Sequence, residues 1–191
     1  MTEIMLAGNS HIDPLWLWRW TEGFWTVRYT VRRAVELLKK NPDIVFIFSS
    51  AVMYKWIEEC EPELFKEVKK LVREGRWVPV GGWWVEPDCN IPCGESFVRQ
   101  ALYGKSYFRE KLGVDVKVGY NIDSFGHNAS LPQILKKSGY SYYIFMRPGR
   151  REKRLPSPLF WWESPDGTRI LAYRLPTGYG LSGEGLGRAL R

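Results

Sequence analysis

Apolar residues follow two rhythms along this chain: short extended runs, and longer stripes at helical spacing. Ile4 to Gly8 reads as a strand that ends in Asn9-Ser10-His11. From Phe24 the apolar positions recur at Val27, Val31, Val35 and Leu38, one stripe of a helix that Asn41-Pro42 stops. Ile44 to Phe48 is a continuous apolar run of strand length, which predicts a strand buried on both faces. Helices are predicted over Ala51 to Glu59 and again from Pro62, where Leu64, Val68, Leu71 and Val72 point inward before Gly75. Trp77-Val78-Pro79-Val80 is a third strand, followed by a helix from Glu95 to Lys111 that Gly113 ends. Val116, Val118, Tyr120 and Ile122 alternate into a fourth strand. A helix from Leu131 to Ser138 and a fifth strand from Tyr142 to Met146 follow.

Strands alternating with helices in this way predict an α/β fold with a mostly parallel sheet of right-handed βαβ units. Phe160-Trp161-Trp162 and Arg169 to Tyr173, joined by Ser164-Pro165-Asp166-Gly167, read as a hairpin. After Leu175 the pattern is lost, and Gly178, Gly180, Gly183, Gly185 and Gly187 dominate. The expected organisation is a single domain over residues 1–175 and a mobile, Gly-rich tail over 176–191.

Composition narrows the class. A chain of 191 residues suits one well-buried domain, and 45% hydrophobic with 26% charged residues is ordinary for a soluble protein. Ten Trp and ten Tyr are many for this length; they build either a heavy core or platforms for stacking flat ligands such as sugar rings. The net charge of +7 lies on helix faces such as Arg32, Arg33, Lys39 and Lys40, mixed with Glu, which reads as a solvated face and not a nucleic-acid surface. The first residues lack the basic start and apolar run of a signal peptide, and no window has the eighteen or so apolar residues of a membrane span. Cys60, Cys89 and Cys93 fit neither a disulfide framework nor a zinc ribbon, so free thiols in a reducing cytoplasm are expected.

Two stretches carry candidate chemistry. Asn121-Ile122-Asp123-Ser124-Phe125-Gly126-His127-Asn128 delivers a carboxylate just past a strand, where parallel α/β folds gather catalytic groups. In His11-Ile12-Asp13 the imidazole and carboxylate are two apart on an extended segment and face the same side. Together with Asp123 they form a donor set suited to a divalent metal with an open coordination position.

His11-Ile12-Asp13-Pro14-Leu15-Trp16, Gly81-Gly82-Trp83-Trp84-Val85-Glu86-Pro87-Asp88 and Asn121 to His127 resemble, in order and spacing, motifs of glycoside hydrolase family 38, the retaining α-mannosidases. The resemblance spans nearly all of residues 4–175 and implies the N-terminal portion of a (β/α)7 barrel-like glycoside hydrolase domain. It implies hydrolysis of terminal α-D-mannosides in mannose metabolism, with an oligosaccharide substrate. His11, Asp13 and Asp123 would hold Zn2+ or another divalent ion such as Co2+, and Asp123 would also be the nucleophile. Trp16 and Phe125 would pack against the mannose ring, with Arg147 beside the nucleophile.

Other residues stay open between two readings. Trp18, Trp20, Trp83 and Trp84 belong either to the core or to a sugar platform, and Glu86 and Asp88 either line the pocket or shape its loop. His127 reads as a structural hydrogen-bonding group. The chain has only two histidines, so the family's further histidine ligand and its general acid have no counterpart before Arg191. The resemblance therefore implies an N-terminal fragment, or a half-enzyme completed by a second polypeptide or a second copy. The readings set beside it are a non-catalytic sugar- or metal-binding module and a metal-dependent polysaccharide deacetylase.

Overall fold

A computed structural model describes residues 7–176 and 178–180. Seven strands and five helices follow one another as β1 (Gly8–Asn9), α1 (Trp20–Lys40), β2 (Phe46–Phe48), α2 (Ala51–Cys60), α3 (Pro62–Arg73), β3 (Trp77–Pro79), α4 (Gly94–Leu112), β4 (Val118–Asn121), α5 (Leu131–Lys137), β5 (Tyr142–Phe145), β6 (Leu159–Glu163) and β7 (Arg169–Arg174). The α/β alternation expected from the sequence is the one observed. Residues 4–6 of the expected first strand lie outside the described residues, as does the expected tail apart from 176 and 178–180.

β1, β2 and β3 pair in parallel in that order. β4, β5 and β7 form a second parallel set, with β6 antiparallel at the outer edge of β7. The amide of Gly81, just past β3, donates to the Val118 carbonyl of β4 at 2.9 Å and links the two sheets. The expected hairpin is present, but its second strand does more than close it. β7 lies between β5 and β6 and extends the parallel sheet by one strand.

Helices cover one face. Val27, Val31, Ala34, Val35 and Leu38 of α1, Met53, Tyr54 and Ile57 of α2 and Phe65, Val68 and Leu71 of α3 pack around Phe48 and Trp77. Trp83, Phe97, Ala101, Leu131 and Leu135 pack on Tyr143, Phe145, Ile170 and Ala172. Each buried Val, Leu, Ile, Phe or Met among them contributes about 1.5–3 kcal/mol by leaving water. The opposite face is thinner: Val80, Tyr120 and Ile122 are buried there, with Ile47, Ile144 and Met146 only partly covered. β2 is accordingly not buried on both faces as its apolar run predicted. Phe48 is buried and Ile47 half-buried, and Ile44 precedes the strand and is exposed. No helix among the described residues is long and apolar enough to cross a membrane.

Candidate active site

The segments that leave β1, β2, β3, β4 and β5 at their C-terminal ends meet in one cleft of about 580 Å³. They bring His11 and Asp13, Ser50, Glu86, Asp123, and Arg147 respectively. β4 enters the cleft with Tyr120 and Ile122 buried beneath it, and the pleat leaves Asp123 on the open side. The chain then turns through Gly126, at a φ of 101° that L side chains rarely adopt; a Cβ there would lie 2.8 Å from Asn90 Nδ2.

A buried polar clamp joins this turn to the loop after β3. Asn121, fully buried, accepts the Trp83 indole N–H at 2.8 Å and donates to Ser124 Oγ at 3.0 Å and the Pro87 carbonyl at 3.2 Å. Ser124 Oγ donates to the same carbonyl at 2.9 Å, and Asn128 Nδ2 donates to the Cys89 carbonyl at 2.8 Å. Satisfied networks of this kind fix backbone geometry, because breaking one strands a buried polar group at about 1–3 kcal/mol. The loop after β3 is held from its other side too: the Trp83 and Trp84 carbonyls accept the Ala51 and Val52 amides at the start of α2, each at 3.0 Å.

His11 is the centre of the donor set. Its Nε2 lies 3.3 Å from Asp13 Oδ1 and 3.9 Å from Asp123 Oδ2, and its Nδ1 lies 3.5 Å from Glu86 Oε2. Burial works against a charged ring, but the carboxylates of Glu86, Asp13 and Asp123 outweigh it, and the His11 pKa is raised above the ordinary histidine value. Nε2 is buried and has no hydrogen-bond partner among the described residues. Among those residues no three His, Cys, Asp or Glu side chains are grouped so that they could hold a metal ion as they stand. The chemistry of the donors, an unpartnered imidazole nitrogen facing two carboxylates, nevertheless suits a divalent ion. A tetrahedral centre with bonds of about 2.0–2.1 Å holds its ligand atoms roughly 3.3–3.4 Å apart, near the spacing of His11 Nε2 and Asp13 Oδ1. Among the described residues four carboxylates (Asp13, Glu86, Asp88 and Asp123) line the cleft against one arginine, an excess that favours a cation.

Arg147 Nε donates to Asp123 Oδ1 at 2.9 Å, while its guanidinium lies 4.3 Å over the Phe125 ring. Phe125 and Trp16 line the cleft as exposed aromatics, and Trp16 meets Trp18 edge-on at 5.2 Å. Trp18 donates its indole N–H to the Asp13 carbonyl at 3.0 Å, so it orders the β1 loop as well as lining the cleft. Trp83 is core, Trp84 packs against the core, and Trp20 is exposed on α1. His127 lies outside the donor set. Its ring is hydrogen-bonded between the Tyr143 hydroxyl at 2.9 Å and the Arg147 carbonyl at 2.7 Å, and burial lowers its pKa.

Ser50 and Tyr179 had no signal in the sequence that marked them as functional; Glu86, left open there between pocket and loop, lines the cleft. Ser50 adopts a φ of 65°, uncommon for a residue with a side chain, and its Oγ accepts the Glu86 amide at 3.1 Å. Tyr179 stacks at a tilt on His11, ring centroids 5.3 Å apart.

The three cysteines are free. Burial pushes the Cys89 thiol up to about 11, although hydrogen bonds to Ser124 and Tyr143 pull the other way, while the hydrogen bond from Ser96 lowers that of exposed Cys93. Iodoacetamide at neutral pH is therefore expected to label Cys60 and Cys93 and to spare Cys89, because thiolate fraction and access both control the rate. Peptide mapping by mass spectrometry checks this; rapid labelling of Cys89 in the folded chain would mean that the clamp opens.

This arrangement has close counterparts. The description "Glycosyl hydrolases family 38 N-terminal domain" matches residues 1–185. α-Mannosidase 2C1 of Homo sapiens is 35% identical over 186 residues, covering 95% of this chain and 18% of that protein. α-Mannosidase G of Dictyostelium discoideum is 33% identical, covering 92% of this chain and 16% of that protein. The crystal structure of an α-mannosidase from Enterococcus faecalis V583 superposes with a TM-score of 0.79 at 25% identity, covering 89% of this chain and 20% of that one. The chain thus spans less than a fifth of the length of these curated relatives. Within that span fall all three motifs and the cleft they build, and the chain belongs to the glycosyl hydrolase family 38 N-terminal domain family.

Proposed function

We propose that this chain carries the nucleophile half of a retaining, metal-dependent α-mannosidase acting on terminal α-D-mannosides. The observation that carries the reading is the setting of Asp123. One carboxylate oxygen is held by Arg147 and the other faces His11, at the mouth of an aromatic-lined cleft. Its relatives' names as α-mannosidases support the same chemistry.

In this reading Arg147 fixes the plane of the Asp123 carboxylate, which attacks the anomeric carbon as the leaving oxygen departs from the opposite face. A glycosyl ester on Asp123 forms, and water then cleaves it with net retention. Trp16 and Phe125 pack on the sugar ring and exclude water from it. His11, Asp13 and Asp123 would hold the zinc or similar ion, which when bound supplies a Lewis acid for the sugar hydroxyls. The general acid is assigned to no residue of this cleft. A further segment of the same polypeptide, a second polypeptide or a second copy would contribute it, together with a further ligand. The free thiols support a reducing, cytoplasmic setting.

Zinc-dependent release of dinitrophenolate from its α-D-mannoside tests the reading. Mannose binding by calorimetry without any release would leave a sugar-binding module. Acetyl release from an acetylated glycan would point instead to a deacetylase.

A further inference from the structure

Glu86 stands where the proposed reaction gives it no task. Its side chain is only 9% exposed, as is that of His11, and burying a carboxylate costs several kcal/mol unless it is well partnered. Its two oxygens point at two different strands' loops. Oε1 accepts the backbone N–H of Asp123 at 3.1 Å. Oε2 lies 3.5 Å from His11 Nδ1 and has no hydrogen-bond partner among the described residues. Asp88, two residues further on, shows what an ordinary loop acid does: its Oδ1 accepts the amides of Asn90 and Ile91, within its own turn. Glu86 turns away from its own loop, and the backbone is built to make it do so. Its amide is held by Ser50 Oγ, from a serine kept at a φ of 65°.

We propose that Glu86 is a positioning residue that sets both the ring of His11 and the loop of Asp123. A neutral imidazole carries one N–H. If Nδ1 gives that proton to Glu86, the lone pair of Nε2 faces Asp13 and Asp123, and the buried, unpartnered Nε2 atom becomes the donor a divalent cation needs. Through Oε1 the same carboxylate holds the backbone of the nucleophile, so ligand and nucleophile share one reference point. The proposal rests on the reading of His11, Asp13 and Asp123 as ligands of a divalent ion.

The test compares the wild-type chain with Glu86→Gln and Glu86→Ala by two measurements. Zinc affinity is read by competition with a chromophoric chelator. The ring tautomer is read without metal, at alkaline pH, from long-range proton–nitrogen NMR spectra. The chain has two histidines, so His127, anchored by Tyr143 and the Arg147 carbonyl, is an internal reference. Glu86→Ala is expected to weaken zinc binding by about 10–100-fold, the usual range for losing such a partner. Glu86→Gln, which keeps one oxygen acceptor, should lose less. In Glu86→Ala the His11 signals should pass from the Nδ1–H form to a tautomer mixture, while those of His127 stay in place. Unchanged affinity and an unchanged His11 tautomer would overturn the role of Glu86 and leave the ligand reading intact. Movement of the His127 signals in step with those of His11 would overturn it in favour of a general collapse of the loop. A wild-type chain that binds no zinc would remove the ligand reading, and the proposal with it.

Discussion

Replacing Asp123 with Asn is expected to lower turnover of dinitrophenyl α-D-mannoside by a factor on the order of 10⁴ or more, as loss of a covalent nucleophile does. At 1.36 kcal/mol for each tenfold, that is about 5.4 kcal/mol of transition-state stabilisation. The substitution is nearly isosteric, and its amide oxygen can still accept the Arg147 Nε–H that now reaches Asp123 Oδ1 at 2.9 Å. The fold and the aromatic cleft should therefore survive while the attacking carboxylate does not. The substrate matters to the argument. Dinitrophenolate leaves without being protonated, so the assay isolates the nucleophile from any general acid. A fluorinated mannosyl fluoride extends it, since fluoride also leaves unaided and the ring fluorine slows hydrolysis of the ester. Peptide mapping should place one mannosyl adduct on Asp123 in the wild-type chain and none in the variant. An adduct on Asp13, or full activity in Asp123→Asn, would sink the assignment.

Periodicity made most of the fold legible. The stripe Val27, Val31, Val35, Leu38 gave α1, and the alternation through Val118, Tyr120 and Ile122 gave β4 and left Asp123 at its end. Both signals are local: they need only the helical or extended repeat and one apolar environment. The place of β7 was not legible in the same way. Its parallel pairing with β5 joins Tyr142 to Leu171 and Phe145 to Arg174, across an intervening strand, and a hairpin pattern is blind to what lies beyond its outer edge. The tryptophans show the same limit. Trp16 and Trp83 each follow a strand, yet one is exposed beside the cleft and the other closes the core with its N–H on Asn121.

The site divides along the same line. Spacing two apart on the extended segment past β1 put His11 and Asp13 on one side, and strand ends put Asp123 in reach of them. Ser50 carries no such sign, and for Glu86 the sequence leaves pocket lining and loop shaping open. A serine in the left-handed region is uncommon, and the bond from Glu86 to the Asp123 amide exists only once β3 and β4 lie side by side.

That dependence on neighbours makes one buried glycine the position where the smallest side chain should do the most damage to stability. Gly104 lies inside α4, where alanine is ordinarily preferred by about 1 kcal/mol. Here a Cβ would sit 2.3 Å from the Gly82 carbonyl oxygen, 2.4 Å from the Trp83 carbonyl carbon and 2.6 Å from the Trp84 amide nitrogen. All three are backbone atoms, so no rotamer change relieves them. The approach is close because the loop after β3 hydrogen-bonds to the helix: the Trp84 amide donates to the Gln100 carbonyl at 2.9 Å, and the Val85 amide to Gln100 Oε1 at 2.8 Å. Gly104→Ala must push the loop outward, stretch those bonds and shift Glu86 from Asp123. Overpacking costs about 1–3 kcal/mol and each stranded buried amide about 1–3 more, which outweighs the gain in helix propensity. The expected net loss is about 2–4 kcal/mol, a large part of a typical total of about 5–15 kcal/mol. Gly94→Ala supplies the contrast. It lies at the start of the same helix with nothing within 4 Å of its Cβ, and should be neutral or stabilising by a few tenths of a kcal/mol. Urea unfolding of the two variants beside the wild type decides it: equal stability of Gly104→Ala and Gly94→Ala would show that α4 does not press on the loop that carries Glu86.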